Sequence, residues 1–327
     1  MSMLLDDWLQ VVRREYLDDF IRAGGAAVKF VVPNGEQRPV GLWEQLRATA
    51  EASGFQFALV DAAATRLHLI DKLFQEVARQ VDWDALATAF LTRLLTDQSL
   101  LLPASLADFN LATIATLNDY PEPLLQSRID RWVLKQIFAD YAMSQEFRYA
   151  LIQLCRAKLA PTDDPALAQA VEEWLRGELR LVSAVKRALI FQKVARHNAR
   201  HLLFSLAHWL HVAGRSGLVL GLDISRYAEA TRMSERSSGF YYSAAAALDA
   251  YEVLRQLIDA TDELEHCLVV VFASTAFVAD DRRGLRSYQA LTMRIADDVR
   301  DRYRQNPLAS LVRVAVPALA EPALAGE

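Results

Sequence analysis

Apolar positions along the chain recur in two ways: every three to four residues over long stretches, and in unbroken runs of five to seven residues. The first pattern marks amphipathic helices. The second marks strands buried on both faces, as in a parallel sheet covered by helices. Leu4, Leu5, Trp8, Val11, Val12, Tyr16, Phe20 and Ile21 predict a helix over 3–23, ended by Gly24-Gly25. Residues 26–32 predict the first strand, 33–39 a turn-rich loop, 40–53 a helix, and 55–60 a second strand with Asp61 at its tip. Strand, loop, helix and strand make a βαβ unit. A helix over 67–79 follows. From Trp83 to Ala213 only helical periods occur, punctuated by Pro103, Pro121, Pro123, Pro161 and Pro165.

The run Gly217-Leu218-Val219-Leu220-Gly221-Leu222-Asp223-Ile224 is the centre of the pattern. It predicts a central strand preceded by a helix over 198–213. A polar loop is expected over 225–240, a helix over 241–260, a fully apolar strand over 267–272, a charged turn over 280–284, a helix over 288–304 and a last strand over 311–316. Strands interleaved with helices predict an α/β fold: a doubly wound, mostly parallel five-stranded sheet with a large all-helical insertion. The expected division is 1–81 and 198–316 for the two halves of the core, 82–197 for the insertion, and 317–327 for a disordered tail.

Composition narrows the function classes. Hydrophobic residues make up 53% of the 327 and charged residues 24%, which suits a packed globular protein. The formal net charge of −5 gives no global attraction to nucleic acid. The two cysteines, Cys155 and Cys267, lie in apolar surroundings and read as buried small hydrophobes in a reducing compartment. No run approaches the roughly 20 apolar residues of a membrane span, and the acidic N-terminus does not read as an export signal, so a cytoplasmic location is expected.

Candidate chemistry sits where the strands end. A carboxylate at the carboxyl end of a central parallel strand points into the crevice where such sheets bind ligands. In P-loop ATPases an Asp there holds magnesium. Asp223 occupies that position, but the next residue, where a water-activating Glu is usual, is Ile224. The phosphate loop itself needs G-x-x-x-x-G-K-[ST], whose backbone N–H groups, ammonium and hydroxyl cradle phosphate and magnesium. After the first strand the chain reads Pro33-Asn34-Gly35-Glu36-Gln37-Arg38-Pro39-Val40. Pro33 and Arg38 replace the glycines, Pro39 the Lys and Val40 the hydroxyl. Arg38 is the only candidate substitute cation. Gly35 keeps some backbone freedom, and Thr275 stands where a polar γ-phosphate sensor is expected, or else caps the next helix.

Ordered along the chain, Gly24–Val32, Trp174-Leu175-Arg176-Gly177-Glu178, Asn198-Ala199-Arg200, the Leu218–Asp223 strand, Ala250–Asp259, Val269–Thr275 and Arg283-Gly284 with Ser287–Leu291 resemble the ATP-binding P-loop proteins of BREX-type bacteriophage-defence systems. The resemblance spans about 24–316 and implies an ASCE, AAA-like core with a helical insertion, working in a multi-protein, DNA-directed defence complex. The chain departs from that family at the loop glycines, the Lys, the Ser/Thr and the Glu after Asp223. The reading is therefore an inactive ATPase homologue with a vestigial nucleotide site (Pro33, Gly35, Arg38, Pro39, Val40, Asp223, Ile224, Thr275), no catalytic residue and no cofactor. The alternatives are a nucleotide-binding switch or slow ATPase holding ATP and magnesium through Arg38 and Asp223, and a DNA-binding adaptor using a helix-turn-helix over 106–138. Arg282, Arg283 and Arg286 are candidates for trans-acting arginines that reach a neighbouring subunit, and their bland role is a surface ion pair. Expected partners are proteins of the defence complex, including an active ATPase, with a homo-oligomer also open, DNA only indirectly and no membrane.

Four histidines, His197, His201, His208 and His211, fall within about 80° of one helical face, opposite the leucines. No carboxylate or Cys joins them at ligand spacing in the sequence, so a solvated or interface stripe is expected in place of a metal site.

Overall fold

A computed structural model describes residues 3–35, 39–229, 240–296 and 306–315. Its centre is a six-stranded sheet: β1 (Met3–Leu4), β2 (Ala26–Pro33), β3 (Gln56–Asp61), β4 (Leu218–Asp223), β5 (Cys267–Phe272) and β6 (Leu311–Ala315), in the order β1-β6-β2-β5-β4-β3. All five pairings are parallel. The five expected strands are present. The sixth, β1, corrects the five-strand expectation: Met3 and Leu4 pair with Val314 and Ala315 at the edge before helix α1 (Leu5–Val11) begins. A two-residue edge strand leaves no periodic signature.

The strands alternate faces at period two, and the central strands β4 and β5 are buried on both faces. Leu218, Leu220 and Leu222 of β4 join the larger core cluster with Cys267, Val269 and Val271 of β5. Val219, Leu268, Val270 and Phe272 face the other way, into a cluster built by α1, the π-helical turn Val12–Phe20 that continues it, and α2 (Leu42–Ala52). Cys155 and Cys267 are both free and buried.

Between β3 and β4, residues 62–217 contain helices and connecting turns only. These are α3 (Ile70–Arg79), α4 (Trp83–Asp97), α5 (Leu111–Leu117), α6 (Glu122–Val133), α7 (Gln145–Leu159), α8 (Pro165–Arg176) and α9 (Ala199–Val212), with shorter 3₁₀ and π turns. Their apolar faces share one continuous core with the sheet, in which Trp83, Phe90, Phe147, Trp174 and Trp209 are almost fully enclosed. The expected helix over 106–117 is a 3₁₀ turn, Leu106–Asp108, followed by α5, because Asn110 caps α5 through its side chain, accepting from Thr113 N at 2.9 Å. After β4 the chain forms a short helix, α10 (Ser225–Ala228), where a loop was expected; residues 230–239 lie outside the described residues. Next come α11 (Ala244–Asp259), α12 (Thr275–Ala279) and α13 (Gln289–Ile295). The rest of the predicted 288–304 helix and the 317–327 tail also lie outside the described residues.

Candidate functional site

The carboxyl ends of β2, β3, β4 and β5 open onto one crevice of about 460 Å³, walled by Pro33, Asp61, Asp223, Arg226, Glu229 and Ser274 among others. Register fixes its floor. Asp61 and Asp223 are partners across β3 and β4, and Asp223 pairs with Phe272 of β5. Two carboxylates therefore end adjacent strands at the same level. Each organises the turn after its own strand. Asp223, only 5% exposed, accepts from Ser225 N at 3.1 Å and Ser225 Oγ at 2.7 Å through Oδ1. Asp61 Oδ1 accepts from Ala63 N at 2.7 Å. Arg226 lies 3.7 Å from Glu229, so the described lining carries three carboxylates against one guanidinium. The buried Oγ of Ser274 has no hydrogen-bond partner among the described residues.

The loop after β2 differs from a phosphate cradle in backbone as well as side chains. Asn34 N donates to Val314 O of β6 at 2.7 Å, so the loop leaves along the neighbouring strand. Gly35 has φ +131°, with open space where a Cβ would stand. Arg38, with Glu36 and Gln37, lies outside the described residues. Pro39 and Val40 precede the helix: Gly41, in the left-handed region at φ +76°, is the N-cap, and α2 starts at Leu42. In a P-loop the Lys and hydroxyl residue lead directly into the helix, which aims its N–H groups at phosphate. Here Val40 is 83% exposed, and the helix opens with Leu42 and Trp43 buried in the core.

Ile224 is 2% exposed, packed in the larger core cluster, with its N–H donating to Phe272 O at 2.9 Å. Its side chain belongs to the core, not the crevice. Thr275 is the first residue of α12, whose N-cap is Ser274. This corrects the expectation that Thr275 caps that helix, and Ser274 is the hydroxyl residue on the crevice wall. The strand end alone does not tell which of two adjacent hydroxyl residues faces inward. The Asp61–Asp223 pairing was equally hidden, because it depends on β3 lying beside β4.

The arginine turn lies beyond α12. Arg283 donates to Tyr242 O at 2.9 Å and to Tyr241 Oη at 3.1 Å, fixing the start of α11. Arg286 makes an exposed pair with Asp281 at 3.1 Å. Arg282 is exposed, and its guanidinium has no carboxylate partner among the described residues. The backbone N–H groups of Arg283 and Arg282 hold the Asp280 carboxyl below its usual range. An aromatic cluster closes the β3 side: Tyr242 Oη donates to Ala62 O at 2.6 Å, and Tyr227 Oη lies 3.0 Å from His68 Nδ1. Burial raises both phenols and lowers the His68 imidazole. No spacing in the sequence points to this cluster.

Among the described residues no group of three His, Cys, Asp or Glu is placed to hold a metal. His201 and His211 are exposed on α9, His197 is exposed just before it, and His208 is half-buried between Asp140 (2.8 Å) and Glu265 (3.2 Å). No helix among the described residues is long and apolar enough to cross a membrane.

Fold and crevice define an α/β protein with an all-parallel sheet and a crevice at the carboxyl end of its strands, the edge where ligands bind in such sheets. Within that class the chain belongs to the family of the BREX system ATP-binding protein BrxC/D, whose model matches residues 18–319. Neither the curated proteins nor the solved structures give a match.

Proposed function

We propose that this chain is a catalytically inactive member of its family: a doubly wound, AAA-like P-loop core carrying a helical insertion at 82–197. It serves as a structural or regulatory subunit of a BREX phage-defence complex in the cytoplasm. The observation that carries this reading is the junction of β2 and α2. The positions of the ammonium and the hydroxyl hold Pro39 and Val40, and the helix starts only at Leu42, with its first two side chains turned into the core. The position of the water-activating Glu is a buried isoleucine. Among the described residues, nothing in this arrangement supplies the developing charge of phosphoryl transfer with donors.

What remains usable is the scaffold. In an assembly with an intact ATPase, Arg282 is the arginine of the turn left for a neighbour, since Arg283 is committed to Tyr241 and Tyr242 and Arg286 to Asp281. Calorimetric titration with ATP and magnesium tests the reading. No saturable heat and no phosphate release are expected, alone or with Asp223→Ala. Saturable micromolar binding abolished by that substitution overturns it.

One observation favours a second reading, a nucleotide-binding switch without turnover: the crevice is open, with Asp61 and Asp223 ending adjacent strands on its floor and a buried hydroxyl, unsatisfied among the described residues, on its wall. The same titration separates the two, because a switch binds and releases nucleotide unchanged.

A further inference from the structure

The outer face of α6 and of the π-helical turn that continues it, Leu134–Phe138, carries a stripe unrelated to the crevice. Arg128, Arg131, Lys135 and Phe138 follow one another at three, four and three residues, so they share a face. The opposite face, Leu125, Ile129, Val133 and Ile137, is buried in the core. All three cations are exposed, and none has a carboxylate partner among the described residues; Arg128 instead donates to Tyr120 Oη at 3.0 Å. Asp130, the acid within the stretch, points away and pairs with Arg156 at 3.0 Å. Only Glu122, at the helix start, adds negative charge along this length of α6, where it faces the helix N-terminus.

The stripe ends in an aromatic platform. Tyr141 is 79% exposed, yet its ring is held: the guanidinium carbon of Arg148 lies 4.9 Å from the Tyr141 centroid and 5.4 Å from that of Phe138. Arg148 is itself 8% exposed, donates to Phe138 O, and its Nε has no partner among the described residues. A buried guanidinium without a carboxylate is costly to keep. Here the two rings are its counterpart. One face of Tyr141 is backed by a fixed positive charge and the ring remains open to solvent. Such a ring stacks well on another π-system that carries negative charge beside it.

We propose that this surface binds single-stranded nucleic acid, with Arg128, Arg131 and Lys135 tracking successive phosphates and Tyr141 stacking a base. Cations in a row next to an exposed, pre-positioned aromatic ring are the arrangement that sequence-tolerant single-strand binding uses. A duplex would offer the cations phosphates but give Tyr141 no unstacked base. The net charge of −5 makes the surface a local feature and so allows it to be removed locally.

The test is fluorescence anisotropy of a labelled oligothymidine of about 20 nucleotides, titrated with the full chain at several salt concentrations. Saturable binding that weakens with salt is expected. Arg131→Glu with Lys135→Glu should weaken it at least about tenfold and flatten the log–log salt slope by about 1.4, the contribution of two single-strand phosphate contacts. Tyr141→Ala should weaken it about fivefold and leave the salt slope unchanged. The far-UV circular dichroism of both variants should match the parent, since all three side chains are exposed. Three outcomes overturn the proposal: no saturable binding at low salt, binding indifferent to the charge reversals, or a duplex of the same length bound as tightly with no effect of Tyr141→Ala.

Discussion

The two ends of the sheet are built on opposite terms. At the amino ends the backbone closes on itself. Gln56 N donates to Gly217 O at 2.9 Å, Leu218 N to His266 O at 2.9 Å, and Ser216 N to Gly54 O at 2.9 Å. His266 is buried there with φ +52°, and its ring stacks on His211 at 3.7 Å. At the carboxyl ends the same strands border about 460 Å³ of open space, and the Asp61 and Asp223 carboxylates cap their own turns. The first end is closed by packing, so substitutions there should act on stability. The second is the end where ligands bind in such sheets. The two ends should therefore respond differently to substitution and to pH.

The largest effect is expected where a crevice function would be restored at the expense of the core. Ile224→Glu puts a carboxylate where a 2% exposed side chain now packs. A fully buried Glu is pushed up by several pH units, which at neutral pH corresponds to about 4 kcal/mol of lost stability. Its folded pKa is raised, so the loss should ease as pH falls toward 4 and the group becomes neutral in both states. Urea denaturation at pH 7 and pH 4.5 measures both. A variant of unchanged stability that hydrolyses ATP would show that residue 224 faces the crevice after all.

Gly217→Ala is next. The residue sits at φ +135°, and an added Cβ would stand 2.1 Å from His266 O, a backbone atom that cannot rotate away. Strain and displacement together should cost about 3 kcal/mol. Asp223→Ala, at the other end of the same strand, removes one carboxylate cap and should cost about 1 kcal/mol. If the order of the two is reversed in denaturant titrations, the carboxyl end is not the yielding end and the comparison fails.

The pattern of residues made most of this sheet legible and little of its crevice. Fully apolar runs marked β4 and β5, because a strand buried on both faces has no alternative composition, while β2 and β6 carry Lys29 and Arg313 within otherwise apolar stretches. Met3 and Leu4 were absorbed into the helix period, since a two-residue strand is defined only by its partner. The damage to the phosphate loop was readable from Pro33, Arg38, Pro39 and Val40 as residue types. The shift of the helix start to Leu42 was not, because it depends on burying Trp43 against the sheet. Asp61 was visible as a strand tip, but its level pairing with Asp223 follows from strand order. The choice of Ser274 over Thr275 on the wall follows from the direction in which α12 leaves β5.

The smallest effect sharpens the comparison through pH. His211 is exposed as a residue, but its ring is partly desolvated where it stacks on His266; that desolvation, reinforced by the charges of His266, His208 and Arg93 and opposed by Glu265, lowers the imidazole below its ordinary value of 6.5. A ring stacked face to face on a second imidazole favours the neutral form in the folded state. The unfolded chain takes up its proton near the ordinary value. The contribution of His211 is therefore complete above about pH 6.5 and is lost as pH falls through the lower, folded value. Thermal melts at pH 7.5 and 5.5 should show a fall in Tm for the parent and a smaller one for His211→Gln, which keeps a planar polar side chain without the titration. Equal pH responses of the parent and His211→Gln would mean that the closed end is not where acid first loosens the sheet.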